Sequence, residues 1–338
     1  MNRYHFFSCL WLATCLSGAT ALADEIPEKL KRWLEPQSWQ RDTKGPVISL
    51  GKSGQFDDTH IFAPAVVQER DRYMLWFCGS RGAVSERVFR LGLATSKDGR
   101  SFARHAGNPV FQMPDGNHSV LTPALLRSAD GQVLREDGRL RMWFSSTWFE
   151  GGDGLHTLHE TRSADGVHWD KPSEAQLKNI YAPTVIKNGD LYQAWYIDVG
   201  VPTWPVRQAT SSNGRDWTVL KDPVLQVDQE WEKNRLFYPY VLMVDGVYLL
   251  WYGSYWNGHP NMTAVGCAVS LDGRNWTKHP DNPVLRPDPE RPWESHYVTS
   301  HSVIRMDNGS FRIWYASRKK PPFVNKYFAI NTATWKPR

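Results

Sequence analysis

Residues 248–252, Tyr248-Leu249-Leu250-Trp251-Tyr252, and residues 266–276, Gly266-Cys267-Ala268-Val269-Ser270-Leu271-Asp272-Gly273-Arg274-Asn275-Trp276, decide the fold. Both are short apolar runs of the kind that form strands, and the Asp-Gly pair after the second is a tight-turn signal that supplies positive φ. The pattern recurs. A Trp-Phe or Trp-Tyr pair stands at Trp76-Phe77, Trp143-Phe144, Trp195-Tyr196, Trp251-Tyr252 and Trp314-Tyr315. A Ser-x-Asp-Gly-x-x-aromatic turn follows at Ser96 to Phe102, Ser163 to Trp169, Ser211 to Trp217 (with Asn213 for Asp) and Ser270 to Trp276.

Working outward, a Pro precedes each of the first four pairs, at Pro64, Pro123, Pro183 and Pro239, with His301 in that place before the fifth. The Pro-to-Trp interval is 12 in units one, three and four, while unit two carries extra residues between Pro123 and Trp143. After the turns, Asn108-Pro109-Val110, Asp222-Pro223-Val224 and Asn282-Pro283-Val284 open a last strand. Units of 52 to 67 residues, counted Trp to Trp, have the length of four-stranded propeller blades, whose apolar faces must stack on the next blade. Trp39 stands seven residues before Pro46, the interval that separates Trp276 from Pro283. The expected fold is therefore all-β, a five-bladed β-propeller of four-stranded antiparallel blades, with the ring closed by an N-terminal strand at residues 45–50. No long amphipathic helix is expected, apart from a short one within residues 25–34.

The 338 residues include 17 Trp, 13 Tyr and 14 Phe, too aromatic for a disordered chain, and most of the Trp fall at recurring blade positions. Formal charge is +5, and the longest run of like charge is Arg318-Lys319-Lys320, so the basic stripe that nucleic acid requires is missing. Arg3, the apolar stretch Phe6 to Leu16 and Ala21-Leu22-Ala23 read as a cleavable signal peptide over residues 1–23, leaving residues 24–338 as one domain. That apolar stretch is too short to span a bilayer, so the expected location is the periplasm or the medium, with no transmembrane segment after cleavage. Cys78 and Cys267 then remain; one disulfide is arithmetically possible, but their positions inside apolar runs of different units favour two buried thiols.

The pattern Pro-x-Val … Tyr-x-x-Trp-Tyr with Gly-x-Ala-x-Ser-x-Asp-Gly-x-x-Trp … Asn-Pro-Val-Leu resembles the five-bladed propeller glycoside hydrolases, the arabinanase, xylosidase, invertase and levansucrase superfamily. The resemblance covers nearly all of the chain after residue 23 and rests on blade architecture. It implies carbohydrate as substrate and carboxylates on the innermost strands, since glycoside hydrolysis needs one carboxyl to protonate the leaving oxygen and another, ~6.5–9.5 Å away in inverting enzymes, to activate water. In the arabinanase branch the base and the pKa-tuning acid directly precede the strand Pro, and the proton donor stands two before it. Here those places hold Ala63, Thr122 and Tyr181, so the triad does not transfer.

Other acids must then carry any such chemistry. Asp57, Glu232 and Glu294 each follow an aromatic ten residues before an inner-strand Val, and such repetition marks an architectural role. Asp58 breaks the repeat and is the expected base or nucleophile; Glu160 is the expected acid, and Asp198 the tuner or alternative acid. His60, His118, Tyr181, Arg235 and His296 are the expected holders of sugar hydroxyls. Loops after the Trp-aromatic strands bring Trp148, Glu150, Asp153, His156, His159, Trp204, Tyr255, Trp256 and His259 toward the same end. His156 and His159 lack a third ligand for zinc, so neither metal nor cofactor is expected. Two further classes stay open: a glycan-binding propeller with no chemistry, and a lyase or phosphorylase on the same scaffold. Oligomeric state is not legible.

Overall fold

A computed structural model describes residues 25–151, 154–319 and 328–338. The expected signal segment, Asp153 and Lys320 lie outside these residues. Among the described residues the protein is nearly all-β, with a one-turn α-helix at Glu28–Lys31 continued by a 3-10 turn at Arg32–Leu34. Leu30 and Trp33 of this short helical segment are buried, and the Trp33 ring meets Phe311 edge-on at 6.0 Å.

Strands fall into five consecutive antiparallel sets. The first is His60–Glu69, Arg72–Ser80, Arg90–Ser96 and Ala103–Arg104. The second is Ser119–Leu125, Arg139–Thr147, Thr157–Ser163 and Leu177–Lys178. The third is Ile180–Asn188, Leu191–Asp198, Val206–Ser211 and Thr218–Val219. The fourth is Glu232–Val244, Val247–Trp256, Thr263–Ser270 and Thr277–Lys278. The fifth is Tyr297–Arg305, Phe311–Arg318 and Ala329–Trp335, and the last of these pairs with Gln40–Arg41 and Ile48–Ser49 from the other end of the chain. One parallel pairing, Thr263 with Tyr297, joins the fourth and fifth sets into a single sheet. The inner strands pack side by side in chain order, and the first also packs on the fifth. This is a propeller-like arrangement.

The repeat has a physical purpose at the contacts between sets. Trp76, Trp143, Trp195 and Trp314 are fully buried and donate their indole N–H to the carbonyls of Gly166, Gly214, Gly273 and Gly99, each in the turn of the adjoining set, at 2.9–3.0 Å. The turn aromatics Trp169, Trp217 and Trp276 close edge-on over Trp76, Trp143 and Trp195. Trp251 meets no such turn; the N-terminal segment stands in, with Gln37 Oε1 accepting at 3.3 Å and Trp39 edge-on at 6.4 Å.

Each turn is built by its own residues. Ser96, Ser163, Ser211 and Ser270 accept the N–H of the turn glycine, while Asp98, Asp165, Asn213 and Asp272 accept the two N–H groups beyond it. Only the glycine of each Asp/Asn-Gly pair has positive φ, between +69° and +80°. A Cβ on Gly273 would also lie 2.9 Å from the Trp195 ring.

The acids that follow an aromatic are structural, as their repetition implied. Asp57 pairs with Arg104, Glu232 with Lys278, and Glu294 with Arg41. Arg104, Lys278 and Arg41 each stand two residues after a turn-type aromatic, Phe102, Trp276 and Trp39. Arg41 thus gives the fifth set what Lys278 gives the fourth. Cys78 and Cys267 are free, buried thiols whose pKa is pushed up to about 12 by burial.

Two outcomes are expected. Gly273→Ala should lose about 2 kcal/mol or more in urea unfolding, through left-handed strain and the clash with Trp195. Backbone N–H groups hold Asp98 down to about 2; backbone and Ser270 bonds hold Asp272 there against its partial burial; the His168 side chain and backbone hold Asp165 lower still. A depressed folded pKa contributes stability above the ordinary Asp value of 3.8 that is lost as pH falls toward about 2. Replacing all three by Asn, the residue the third set already carries, should lower melting at pH 7 and flatten its decline between those two pH values, so that the difference from the unchanged protein shrinks as pH falls.

Candidate functional site

The chemistry-bearing cavity opens where the inner strands begin. At the residue before each strand Pro, or before His301, the chain turns left-handed: Ala63, Thr122, Ala182, Tyr238 and Ser300 have φ of +51°, +48°, +50°, +52° and +45°. The ladder between inner and second strand slips at this point in all five sets. Strain of this kind persists where the surroundings hold it, and here neighbouring sets do so. Ser300 Oγ accepts the Ala63 N–H at 2.7 Å, and Thr122 Oγ1 and Ser145 Oγ accept that of Ala182.

The residues two before the Pro, Phe62, Leu121, Tyr181 and Phe237, line one end of a cavity of about 260 Å³. Of its fifteen lining residues among those described, nine are Phe, Tyr or Trp and none is Asp or Glu. Three arginines are. Arg87 comes from the loop after the second strand of set one, Arg235 from the inner strand of set four, and Arg318 from the end of the second strand of set five. Each guanidinium stacks on a ring of the same wall: Arg87 on Phe149 at 4.1 Å, Arg235 on Trp204 at 4.7 Å, Arg318 on Tyr297 at 3.9 Å. Stacking fixes the planar group and leaves its edge donors available. Among the described residues, the hydrogen bonds of Arg87 and Arg235 go to carbonyls, those of Val84 and Pro202, with no carboxylate partner. Burial accordingly pulls the Arg87 pKa below its ordinary value, opposed by the Tyr181 hydroxyl.

Tyr181 and Tyr238 share a hydroxyl–hydroxyl bond of 2.6 Å on the wall. Burial pushes the Tyr238 pKa well above the ordinary phenol value, with Tyr181 adding to the shift. The cavity offers aromatic faces for sugar rings, cationic donors for an acidic group, and one phenol pair able to pass a proton.

Of the residues singled out from the sequence, Tyr181 and Arg235 reach this wall. His60 is buried one layer behind it, stacked on the lining Phe89 at 5.6 Å. His296 is likewise behind, its ring parallel to Tyr297, and burial, with Arg318 nearby, lowers its pKa. His118 sits on the Asp115 carboxylate near the exposed Trp148, outside the lining. His156, Trp204 and Tyr255 do line the cavity, whereas Trp256 stacks on His259.

The three acids stand elsewhere. Asp58 accepts the Gly54 N–H and the Thr59 hydroxyl in the entry loop. Asp198 is held by Arg207 at 2.7 Å and by the Gly200 N–H. Glu160, 3 % exposed, binds Arg141 through both oxygens and also meets Arg162, Arg215 and Gln176. Against its burial, these partners hold its pKa below the usual carboxylate value, which suits an ion-pair anchor and opposes a proton donor. Among the described residues the lining therefore holds no carboxylate pair. Arg87 was not among the residues the sequence singled out, although it lies in the loop after a Trp-aromatic strand, the position that drew attention in sets two to four.

No protein-family model matches the chain. By sequence it is similar to two uncharacterized proteins of Mycobacterium tuberculosis, Rv1502 and MT1551, each 27% identical over 209 residues covering 58% of this chain and 67% of theirs. By structure it is similar to a protein described as a glycoside hydrolase, with TM-score 0.70 and 16% identity over 93% of this chain and 97% of that one. It is also similar to a glycosyl hydrolase from Bacteroides ovatus, with TM-score 0.69 and 14% identity over 93% and 96%. A third is a protein of the GH130 family of mannoside phosphorylases, a family containing glycoside hydrolases that target β-1,2 mannosidic linkages in Candida mannan; its TM-score is 0.68 and its identity 14% over 89% and 94%. At these identities the structural likeness is one of fold.

Glu160→Gln separates an anchor from a proton donor. It should cost about 3 kcal/mol in unfolding by leaving Arg141 short of a partner, while ligand affinity at the axial cavity stays within twofold of the unchanged protein.

Proposed function

We propose that the chain is an exported carbohydrate-active protein, one domain built as a five-bladed propeller, and that its axial cavity takes an acidic sugar unit. The five strand sets are the blades, and residues 40–49 complete the fifth by pairing with Ala329–Trp335. The fold shared with glycoside hydrolases and a GH130 protein supports carbohydrate as the ligand class. The observation that carries the acidic sugar is the wall itself: Arg87, Arg235 and Arg318 converge on an aromatic cavity with no Asp or Glu among its described lining residues. Arg87 and Arg235, whose hydrogen bonds go to carbonyls and not to carboxylates among the described residues, favour a ligand that brings an acid. Tyr181 and Arg235 keep the ligand-holding role assigned to them from the sequence.

The Tyr181–Tyr238 bond favours one chemistry over two-carboxylate hydrolysis. When arginines neutralise a uronate carboxylate, its C5 proton becomes acidic enough for the Tyr181 oxygen, as phenolate, to remove, while the raised pKa of Tyr238 keeps that hydroxyl protonated as its hydrogen-bond partner. The C4–O bond then breaks, its electrons leave with the departing oxygen, and that oxygen takes the proton that Tyr181 removed from C5. The product is an unsaturated sugar, formed with no water consumed.

Calorimetry with uronate-containing and neutral oligosaccharides of equal length tests the ligand class. Acidic ligands should bind at least tenfold tighter, the advantage shrinking as salt rises, and Arg235→Ala should weaken them about tenfold. Equal affinity for neutral and acidic ligands would refute the reading. Ultraviolet absorbance from a new C=C bond, independent of added phosphate and lost in Tyr181→Phe, distinguishes elimination from phosphorolysis and from binding alone.

A further inference from the structure

Further along the inner strands lies a second, smaller cavity of about 40 Å³, walled mainly by the strand prolines and their apolar neighbours. Arg127 reaches into it. The extra residues of unit two explain how: beyond Leu125 the chain leaves its own ladder, and Arg127–Ser128 pair in parallel with Ile186 and Lys187 of set three. The Arg127 side chain is thereby carried inward, and the residue is 4 % exposed.

The surroundings do not neutralise it. Nη2 donates to Thr184 Oγ1 at 2.9 Å, and the guanidinium lies over the Tyr240 ring at 4.2 Å. Nη1 is buried without a hydrogen-bond partner. Among the described residues no carboxylate pairs with Arg127; burial lowers its pKa, opposed only by the Tyr240 hydroxyl. Two other buried arginines of this protein are treated differently. Arg141 has Glu160 and Glu136, and Arg312 has Asp42. A buried charge without a counter-charge is costly enough that folded proteins pair it.

The space suits a ligand. A single water needs only about 10–15 Å³ of such volume, so the cavity has room for an atom-sized ion. The Tyr240 hydroxyl accepts a bond from Ser302 Oγ at 3.3 Å, which leaves its own proton to donate. His301, also on the wall, has a pKa lowered by burial to about 4, so it is neutral near pH 7 and brings no second charge.

We infer that this cavity binds a small monovalent anion of halide size, held by Arg127 Nη1 with the Tyr240 hydroxyl beside it. The anion is the counter-charge the chain lacks, and it pins the second and third strand sets, through Arg127 and Thr184, to the fourth, through Tyr240.

Melting of the full chain in sodium chloride and in sodium gluconate at matched ionic strength, with bromide-soaked crystals, tests this. Chloride should raise the midpoint in proportion to the logarithm of its concentration once above its dissociation constant, by about 2 °C at tenfold that constant, whereas gluconate should not. Anomalous density for bromide should sit against Arg127 Nη1. Arg127→Met should lose the chloride dependence and melt in gluconate no lower than the unchanged protein. If that variant fails to fold, Tyr240→Phe, which keeps the ring under the guanidinium, should need several-fold more chloride for the same rise in midpoint. Identical melting in the two salts, or no bromide at Arg127, overturns the inference.

Discussion

The indole N–H of one strand set bonded to a turn glycine carbonyl of the adjoining set is the contact on which the rest of this structure depends. A four-stranded sheet of this size cannot bury both faces by itself. The buried Trp supplies apolar area and one polar atom, and the turn must bring its carbonyl to that atom. This explains the turn's composition: Ser and Asp or Asn consume the local N–H groups, glycine takes the positive φ, and the following aromatic covers the Trp. It also explains the N-terminal segment. Trp251 would otherwise face water, and Gln37 and Trp39 occupy the place of the missing turn.

Charge is distributed by the same logic. Acids that follow an aromatic reach across to a base on the outermost strand, and Glu160 gathers three arginines between the second and third sets. Such pairs fix the edges of the sheets. The axis holds the opposite population: arginines stacked on aromatic rings, with the acids drawn away to the edges. Asp58, Glu160 and Asp198 are each committed to hydrogen bonds or ion pairs away from the cavity wall.

Much of the architecture was legible because it repeats. The Trp-aromatic pairs, the Ser-x-Asp-Gly turns and the spacing of Trp39 from Pro46 are each local patterns, and all appear in the strand pairings; the structural role of Asp57, Glu232 and Glu294 followed from the same repetition. The site was less legible. Asp58 and Glu160 stand out because they break a pattern or begin a strand, yet sequence position does not say which way a side chain points. Glu160 faces Arg141 on the adjacent strand and Arg215 of the next set, 55 residues further along the chain. Tyr181 and Arg235 were legible because both lie on an inner strand close to its left-handed turn, where direction is set by the repeat.

By itself the sequence determined the strand repeat, the turn chemistry, the burial of Cys78 and Cys267 and the use of the N-terminal segment in the fifth set. Each is a property of residues close in sequence or equivalent between repeats. Only the tertiary structure decided that Arg87, Arg235 and Arg318 share one cavity, that no acid joins them among its described lining residues, and that Arg127 turns inward without a carboxylate among the described residues. These depend on five inner strands meeting around one axis. Residues from different sets become neighbours there without any sequence period to announce it, and a charge is costly or useful according to what surrounds it.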